Sequence, residues 1–141
     1  MMDKKWILVF TAWFIALLSS LGSLFFSEVM ALPPCQLCWY QRICMYPLVF
    51  IFLAALFPFD RSLLRYSLPL TITGFLTAIY HNLLYYKILP KSASPCSQGI
   101  SCTTVQLEWL GFITIPLLSL TAFSLILIVL TILQRELKRE K

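Results

Sequence analysis

Apolar residues fall along the chain in four long runs separated by short polar breaks. The first extends from Trp6 to about Met30 behind the basic pair Lys4 and Lys5. The second covers about Ile43 to Phe59, the third about Leu64 to Tyr86, and the fourth about Phe112 to Leu133. A helix needs about 20 mostly apolar residues to cross hydrocarbon, so the pattern predicts spans at approximately 6–30, 43–59, 64–86 and 112–133. The second is short, with Pro47 near its start, and Pro69 and Pro116 fall early in the third and fourth. Neighbouring helices can satisfy the backbone groups that such prolines free. A basic start followed by an apolar run also fits a secretory signal. Here the run continues through Leu24-Phe25-Phe26, past the roughly 7–15-residue apolar core of such a peptide, and an uncleaved helix is expected. Asp60-Arg61-Ser62 reads as a tight charged turn, and the tail from Gln134 as a solvated end. The expected fold is an all-α integral membrane protein, a four-transmembrane-helix bundle forming a single membrane domain over residues 1–141, with polar loops at 31–42 and 87–111. Ser19, Ser20, Gly22 and Ser23 in the first run, and Gly74 with Ala78 in the third, would allow close helix approach.

Composition agrees with a lipid environment. Apolar residues make up 60% of the chain and charged ones 12%, against about half and about a quarter in soluble domains. The net charge of +5 forms no basic patch interleaved with aromatics, which excludes nucleic acid as a partner. Instead, charge sets orientation. With four spans, both termini share a side with Lys4, Lys5, Arg61, Arg65, Arg135, Lys138, Arg139 and Lys141, eight of the eleven basic residues. The positive-inside rule makes that side cytoplasmic. Both polar loops then face outward from the membrane, into a compartment where disulfides persist.

These loops carry the chemistry. Pro33-Pro34-Cys35-Gln36-Leu37-Cys38-Trp39-Tyr40-Gln41-Arg42 places a Cys-x-x-Cys pair just ahead of the second run, with Arg42 one helical turn beyond Cys38. Helix N-termini and nearby cations favour thiolates, so a redox-active pair centred on Cys38 is one reading; a structural disulfide and half of a zinc site are the others. Cys96 and Cys102 form a second pair with five intervening residues, wider than the usual Cys-x₂₋₄-Cys of zinc sites. An exposed disulfide there would be labile and exchangeable, or else a staple on the loop. Two outward pairs beside a membrane suggest a relay from a soluble partner to a lipid-phase acceptor. Disulfide exchange moves two electrons, which matches reduction of a quinone. Cys44 lies in the second run and reads as a small hydrophobe outside the relay. His81, the only histidine, is either a buried, hydrogen-bonded membrane histidine or a polar contact for the acceptor. Val105, Trp109 and Phe112 could share one face of a short interfacial helix.

The segment Pro34–Arg42 resembles the Cys-x-Leu-Cys-x-Tyr-[Glu/Gln]-Arg signature of the DsbB disulfide-bond formation family. The four-run order, the second cysteine pair, and Trp109-Leu110-Gly111-Phe112 leading to Pro116 are similar to that family as well. The Cys-x₅-Cys spacing resembles its BdbC-type members from Gram-positive bacteria. The resemblance implies a quinone-dependent protein disulfide oxidoreductase that reoxidises an extracytoplasmic thioredoxin-like thiol-disulfide oxidase and passes electrons to the membrane quinone pool. It implies Cys38 as the thiolate facing the quinone and Cys35 as its partner exchanging with the second pair. Cys96 would form the mixed disulfide with the soluble oxidase, and Cys102 would pair with Cys96. Arg42, and with it His81, would contact the quinone, expected to be menaquinone, and no metal is expected. Three rivals stay open: an outward zinc-holding membrane protein, a disulfide-stapled tetraspan scaffold, and a vitamin K epoxide reductase-like enzyme. In the last, the active pair would be expected near the final helix of the bundle.

Overall fold

The computed structural model describes residues 3–96, 108–109 and 111–141. Four long helices, α1 (Lys4–Glu28), α2 (Gln36–Leu56), α3 (Leu63–Tyr85) and α4 (Ile115–Arg139), dominate it. Each packs against its sequence neighbours, and α4 closes onto α1. Among the described residues, α1, α2 and α4 are long and apolar enough to cross a membrane.

The outside of the bundle is as apolar as its core. Phe14, Phe25, Phe50, Leu76 and Ile128 are exposed, whereas Leu48, Phe52, Phe123, Ile126 and Leu130 are buried between helices. Such a surface is stable only in a solvent that does not penalise it. Many hydroxyls within the helices are satisfied locally, as hydrocarbon favours. Thr11, Ser19, Thr71, Thr73, Thr77, Thr121 and Ser124 each donate to the carbonyl four residues earlier. Gly74 lets α3 approach α4: a β-carbon there would stand 2.2 Å from Cε1 of Phe123.

Two helix boundaries differ from the hydrophobic pattern. Helix α2 begins at Gln36, seven residues ahead of the apolar run, so Gln36–Arg42 is helical and not part of a loop. The reason is local: Pro33 and Pro34 stop any continuation of α1, and Cys35 supplies the N-cap, its sulfur accepting the N–H of Cys38 at 3.4 Å. Helix α4 continues through the charged tail to Arg139. Lys138 and Arg139 lie in its last turn, where cations oppose the negative end of the helix dipole. The tail is thus helical rather than a loose end.

At the end of the bundle carrying Cys35, α1 and α3 are each followed within three residues by a non-glycine residue in the left-handed region, Ala31 (φ 51°) and Lys87 (φ 58°). Beyond each, the chain folds back so that Leu32 donates to Phe26 at 3.0 Å and Ile88 to Leu83 at 3.0 Å. After α3 a 3₁₀ turn, Lys91–Ala93, is tied down by Tyr80, whose hydroxyl donates to the Ala93 carbonyl. Where an interfacial helix was expected, the antiparallel strands β1 (Glu108–Trp109) and β2 (Ile113–Thr114) pair instead, in the register Glu108 to Thr114. Gly111 takes φ 78° in the turn between them, a conformation only glycine adopts cheaply. Val105, like Cys102, lies outside the described residues.

The opposite end gathers both chain ends. Glu140 pairs with Lys5 from α1 and, at 3.4 Å, with Arg61 from the α2–α3 turn.

Candidate functional site

The site begins with the cap of α2. Cys35 is buried at the N-cap and Cys38 sits within the first turn, their sulfurs 3.0 Å apart. His81, buried near the end of α3, places Nε2 at 3.7 Å from the Cys35 sulfur and Nδ1 at 3.4 Å from the amide nitrogen of Gln41. The three ligand atoms of Cys35, Cys38 and His81 lie within 4.8 Å of one another. Cys96 is disulfide-bonded and packs against the cluster of Cys35, Leu37 and Leu84. The short loop after α3 therefore brings the second cysteine region onto the first.

The cap decides the charge. The hydrogen bond from the Cys38 thiol holds Cys35 well below the ordinary thiol range, at about 4. Burial opposes the shift, while His81 and the Cys38 backbone N–H reinforce it. A sulfur at a helix N-terminus also faces the positive end of the dipole. The cap geometry thus favours negative charge on Cys35 in the reduced pair, whereas the sequence pointed to Cys38. The shift of site follows from the early start of α2, which carries Cys38 inside the first turn and leaves Cys35 at the cap.

Cys38 packs on the same cluster and also reaches the interior of the bundle. It lines a cavity of about 320 Å³ between α1, α2 and α4, together with Gln41, Arg42, Pro34 and Phe123. The volume lies at the lower end of the range for small-molecule sites, about 300–1,000 Å³. Arg42 is anchored in the wall: Nε donates to Ser23 Oγ at 2.7 Å and Nη2 to the Ser23 carbonyl at 2.8 Å. Its guanidinium also lies 5.5 Å from the Trp39 ring centroid. Two of its five N–H donors are used by Ser23, and others remain for a ligand. His81, by contrast, stands against Cys35 and is not among the residues lining the cavity. Cys44 is buried in the main core with Leu48 and Met45.

The disulfide bond formation protein DsbB family model matches residues 4–133. The chain belongs to the DsbB family. Among relatives, it is 42% identical over 135 residues to Disulfide bond formation protein C of Bacillus subtilis, covering 96% of this chain and 98% of that one. It is 41% identical to a Probable disulfide formation protein of Metapseudomonas resinovorans, covering 92% and 91%. A Probable disulfide formation protein C of Halalkalibacterium halodurans is 40% identical, covering 92% and 94%. No solved structure matches. Family membership establishes a membrane protein of disulfide bond formation.

Sequence reasoning missed Ser23, Gln41 and the polar lining of the cavity. The signal was present in part: Ser23 belongs to the small-residue stretch of α1, which reads as a packing face until Arg42 is seen to bond to it.

Proposed function

We propose that the chain is a four-span membrane enzyme that reoxidises an extracytoplasmic thioredoxin-like dithiol oxidase and delivers the electrons to a membrane quinone. One observation carries the reading: Cys35 belongs to the buried cluster on which Cys96 packs, while its partner Cys38 also lines an apolar cavity beside Arg42. The pair is a junction between a protein side and a lipid side.

The residues fit a quinone. The cavity is apolar with few polar groups, and Arg42 supplies charged donors at the level of Cys38. A bound quinone accepts two electrons and two protons and becomes a quinol. The protein steps precede this. A partner thiolate attacks the disulfide of Cys96, and the pair in the loop becomes a dithiol as the partner becomes a disulfide. A loop thiolate then attacks the sulfur of Cys35 in an oxidised Cys35–Cys38 pair, the electron pair of the broken bond leaves on Cys38, and the second loop thiolate resolves the mixed disulfide, which restores the loop disulfide and leaves Cys35 and Cys38 both reduced. Cys38 is thereby a thiolate facing the cavity, one turn from Arg42, at the moment electrons must leave the protein. His81 beside Cys35 is positioned to hold a proton during the exchange.

The test uses purified protein, a reduced thioredoxin-like partner and a soluble menaquinone analogue, following partner thiols and quinone absorbance together. Replacing Cys35 or Cys38 by Ser abolishes coupled turnover, and Arg42→Gln weakens the quinone dependence. Turnover that survives loss of both cysteines overturns the reading.

A zinc site on Cys35, Cys38 and His81 is the second reading that a specific observation favours. With Zn–S near 2.3 Å, tetrahedral geometry sets two sulfurs about 3.8 Å apart, whereas here they stand 3.0 Å apart. The spacing falls between that value and the about 2.05 Å of a disulfide, too close for both sulfurs to ligate one zinc as they stand. Stoichiometric zinc in purified protein would support the metal reading instead.

A further inference from the structure

Among the described residues, buried hydroxyls that lack any partner are few, and two of them line the cavity. Ser20 on α1 is 8% exposed, and neither its Oγ nor the hydroxyl of Tyr46 on α2 has a hydrogen-bond partner. The contrast with their neighbours is informative. Ser19, one residue earlier, donates to the Ile15 carbonyl at 2.7 Å, as most helix hydroxyls in this bundle do in their own way. Trp13 Nε1 and Ser67 Oγ are also unpartnered, but neither residue lines the cavity. A buried hydroxyl without a partner costs about 1–3 kcal/mol, and a ligand is what would offset it here.

Helix geometry sets where these hydroxyls stand. Ser23 and Arg42 are bonded to each other, which fixes one level of the cavity. Helix α1 runs towards the cysteine end and α2 runs away from it. Ser20 therefore lies below that level by three residues, about 4.5 Å, and Tyr46 by four, about 6 Å. Both residues are thus carried on the side of the Arg42–Ser23 level that points away from the cysteines, and both line the same cavity. A para-quinone carries its carbonyl oxygens on opposite edges of one ring, about 5 Å apart, so it calls for donors at two levels of a cavity rather than one.

We infer that Ser20 and Tyr46 bind the second carbonyl of the quinone, the one opposite the carbonyl held at Arg42. The inference rests on the quinone reading above and extends it from one polar anchor to two. It makes the cavity selective for a ring with oxygens at both ends, held with one edge towards Cys38. Unlike Arg42, these residues touch only the far edge of the ring, so they orient it and contribute to its affinity.

The experiment measures equilibrium binding of a short-chain naphthoquinone to purified protein by quenching of intrinsic fluorescence, alongside an analogue with a single ring ketone. Tyr46→Phe and Ser20→Ala are each expected to raise the Kd for the quinone roughly five- to tenfold. They leave the Kd of the monoketone unchanged, because its one oxygen takes the charged donor at Arg42. The ligand-free variants are expected to unfold at the same temperature as the parent or higher, since the hydroxyl removed had no partner to lose. A thermal midpoint lowered in both variants without ligand would assign the hydroxyls a structural role and overturn the inference. Equal weakening of quinone and monoketone would overturn it as well, reducing both residues to shape. If both variants bind quinone like the parent while Arg42→Gln does not, the second anchor is wrong and the quinone reading stands. If the parent protein itself binds no quinone, both fall.

Discussion

Cys35 is a cysteine used as a helix cap, and this single fact orders the chemistry of the pair. A serine or aspartate in the same place would satisfy the N–H of Cys38 equally well; a sulfur does so and becomes a stabilised thiolate. The depressed titration has a defined sign. Between its folded value of about 4 and the ordinary value of 9.0, the folded dithiol protein carries a thiolate while the unfolded chain carries a thiol. The unfolded state then binds more protons, so stability of the reduced form rises with pH across that window, is fully present above 9.0, and is lost as pH falls towards about 4. The expected titration of reduced protein, followed by thiolate ultraviolet absorbance, shows one thiolate persisting through neutral pH and vanishing only near pH 4, and Cys35→Ser removes it. His81→Ala moves the midpoint upward, by less than loss of the Cys38 thiol does, because the bond from Cys38 is the larger cause. A midpoint in the ordinary thiol range for the parent would contradict the cap assignment.

At the level of helices, close packing and the cavity are joined through one contact. Gly74 of α3 faces the ring of Phe123 on α4, and Phe123 is both buried and part of the cavity wall. A methyl group added at Gly74 must displace that ring, because the space it would enter is already filled. Gly74→Ala is expected to cost about 1–3 kcal/mol, the usual penalty for overpacking, and to weaken binding in the cavity. Adding Phe123→Leu to the same chain restores part of the lost stability; a Gly74→Ala protein that melts like its parent would refute the contact. Helix interiors of this kind were legible from hydropathy, since long apolar runs leave few other structures in lipid. Their starts were less so. Hydropathy read Gln36–Arg42 as loop because Gln36, Gln41 and Arg42 are polar, yet all three belong to α2, and its beginning is set by two prolines and a cap that carry little hydrophobic signal. The candidate cysteines and Arg42 were named by spacing within the chain. Ser20, Ser23, Gln41 and Tyr46 were not, since what distinguishes them is contact, or the lack of it, across helices. The place of His81 against Cys35 likewise depends on how α3 meets the cap of α2.

For the whole molecule, the fold separates two ends of opposite character. One gathers Lys5, Arg61 and Glu140, joining the first helix, the α2–α3 turn and the end of α4. These pairs are partly exposed and contribute little energy singly; their meaning is positional, because they tie three basic segments to one face. The other end holds Cys35, Cys38, His81 and Cys96 under the loop that Tyr80 fastens. The proposed relay between a secreted dithiol and a membrane oxidant requires this second end to face outward, and the positive-inside rule, applied to the basic residues of the first end, calls for that end to be cytoplasmic. The two arguments, one from redox compartment and one from charge, are independent and give the same orientation. It can be measured in intact cells with a membrane-impermeant thiol reagent, in a chain whose native cysteines are replaced by Ser. Lys91→Cys, beside the 3₁₀ turn, is expected to label in intact cells, and Lys141→Cys, at the far end, only after the membrane is opened. Labelling of both positions from the same side would break the shared-end geometry. The reversed pattern would keep the bundle but place the cysteines in a reducing compartment, where the proposed direction of electron flow has no driving oxidised partner.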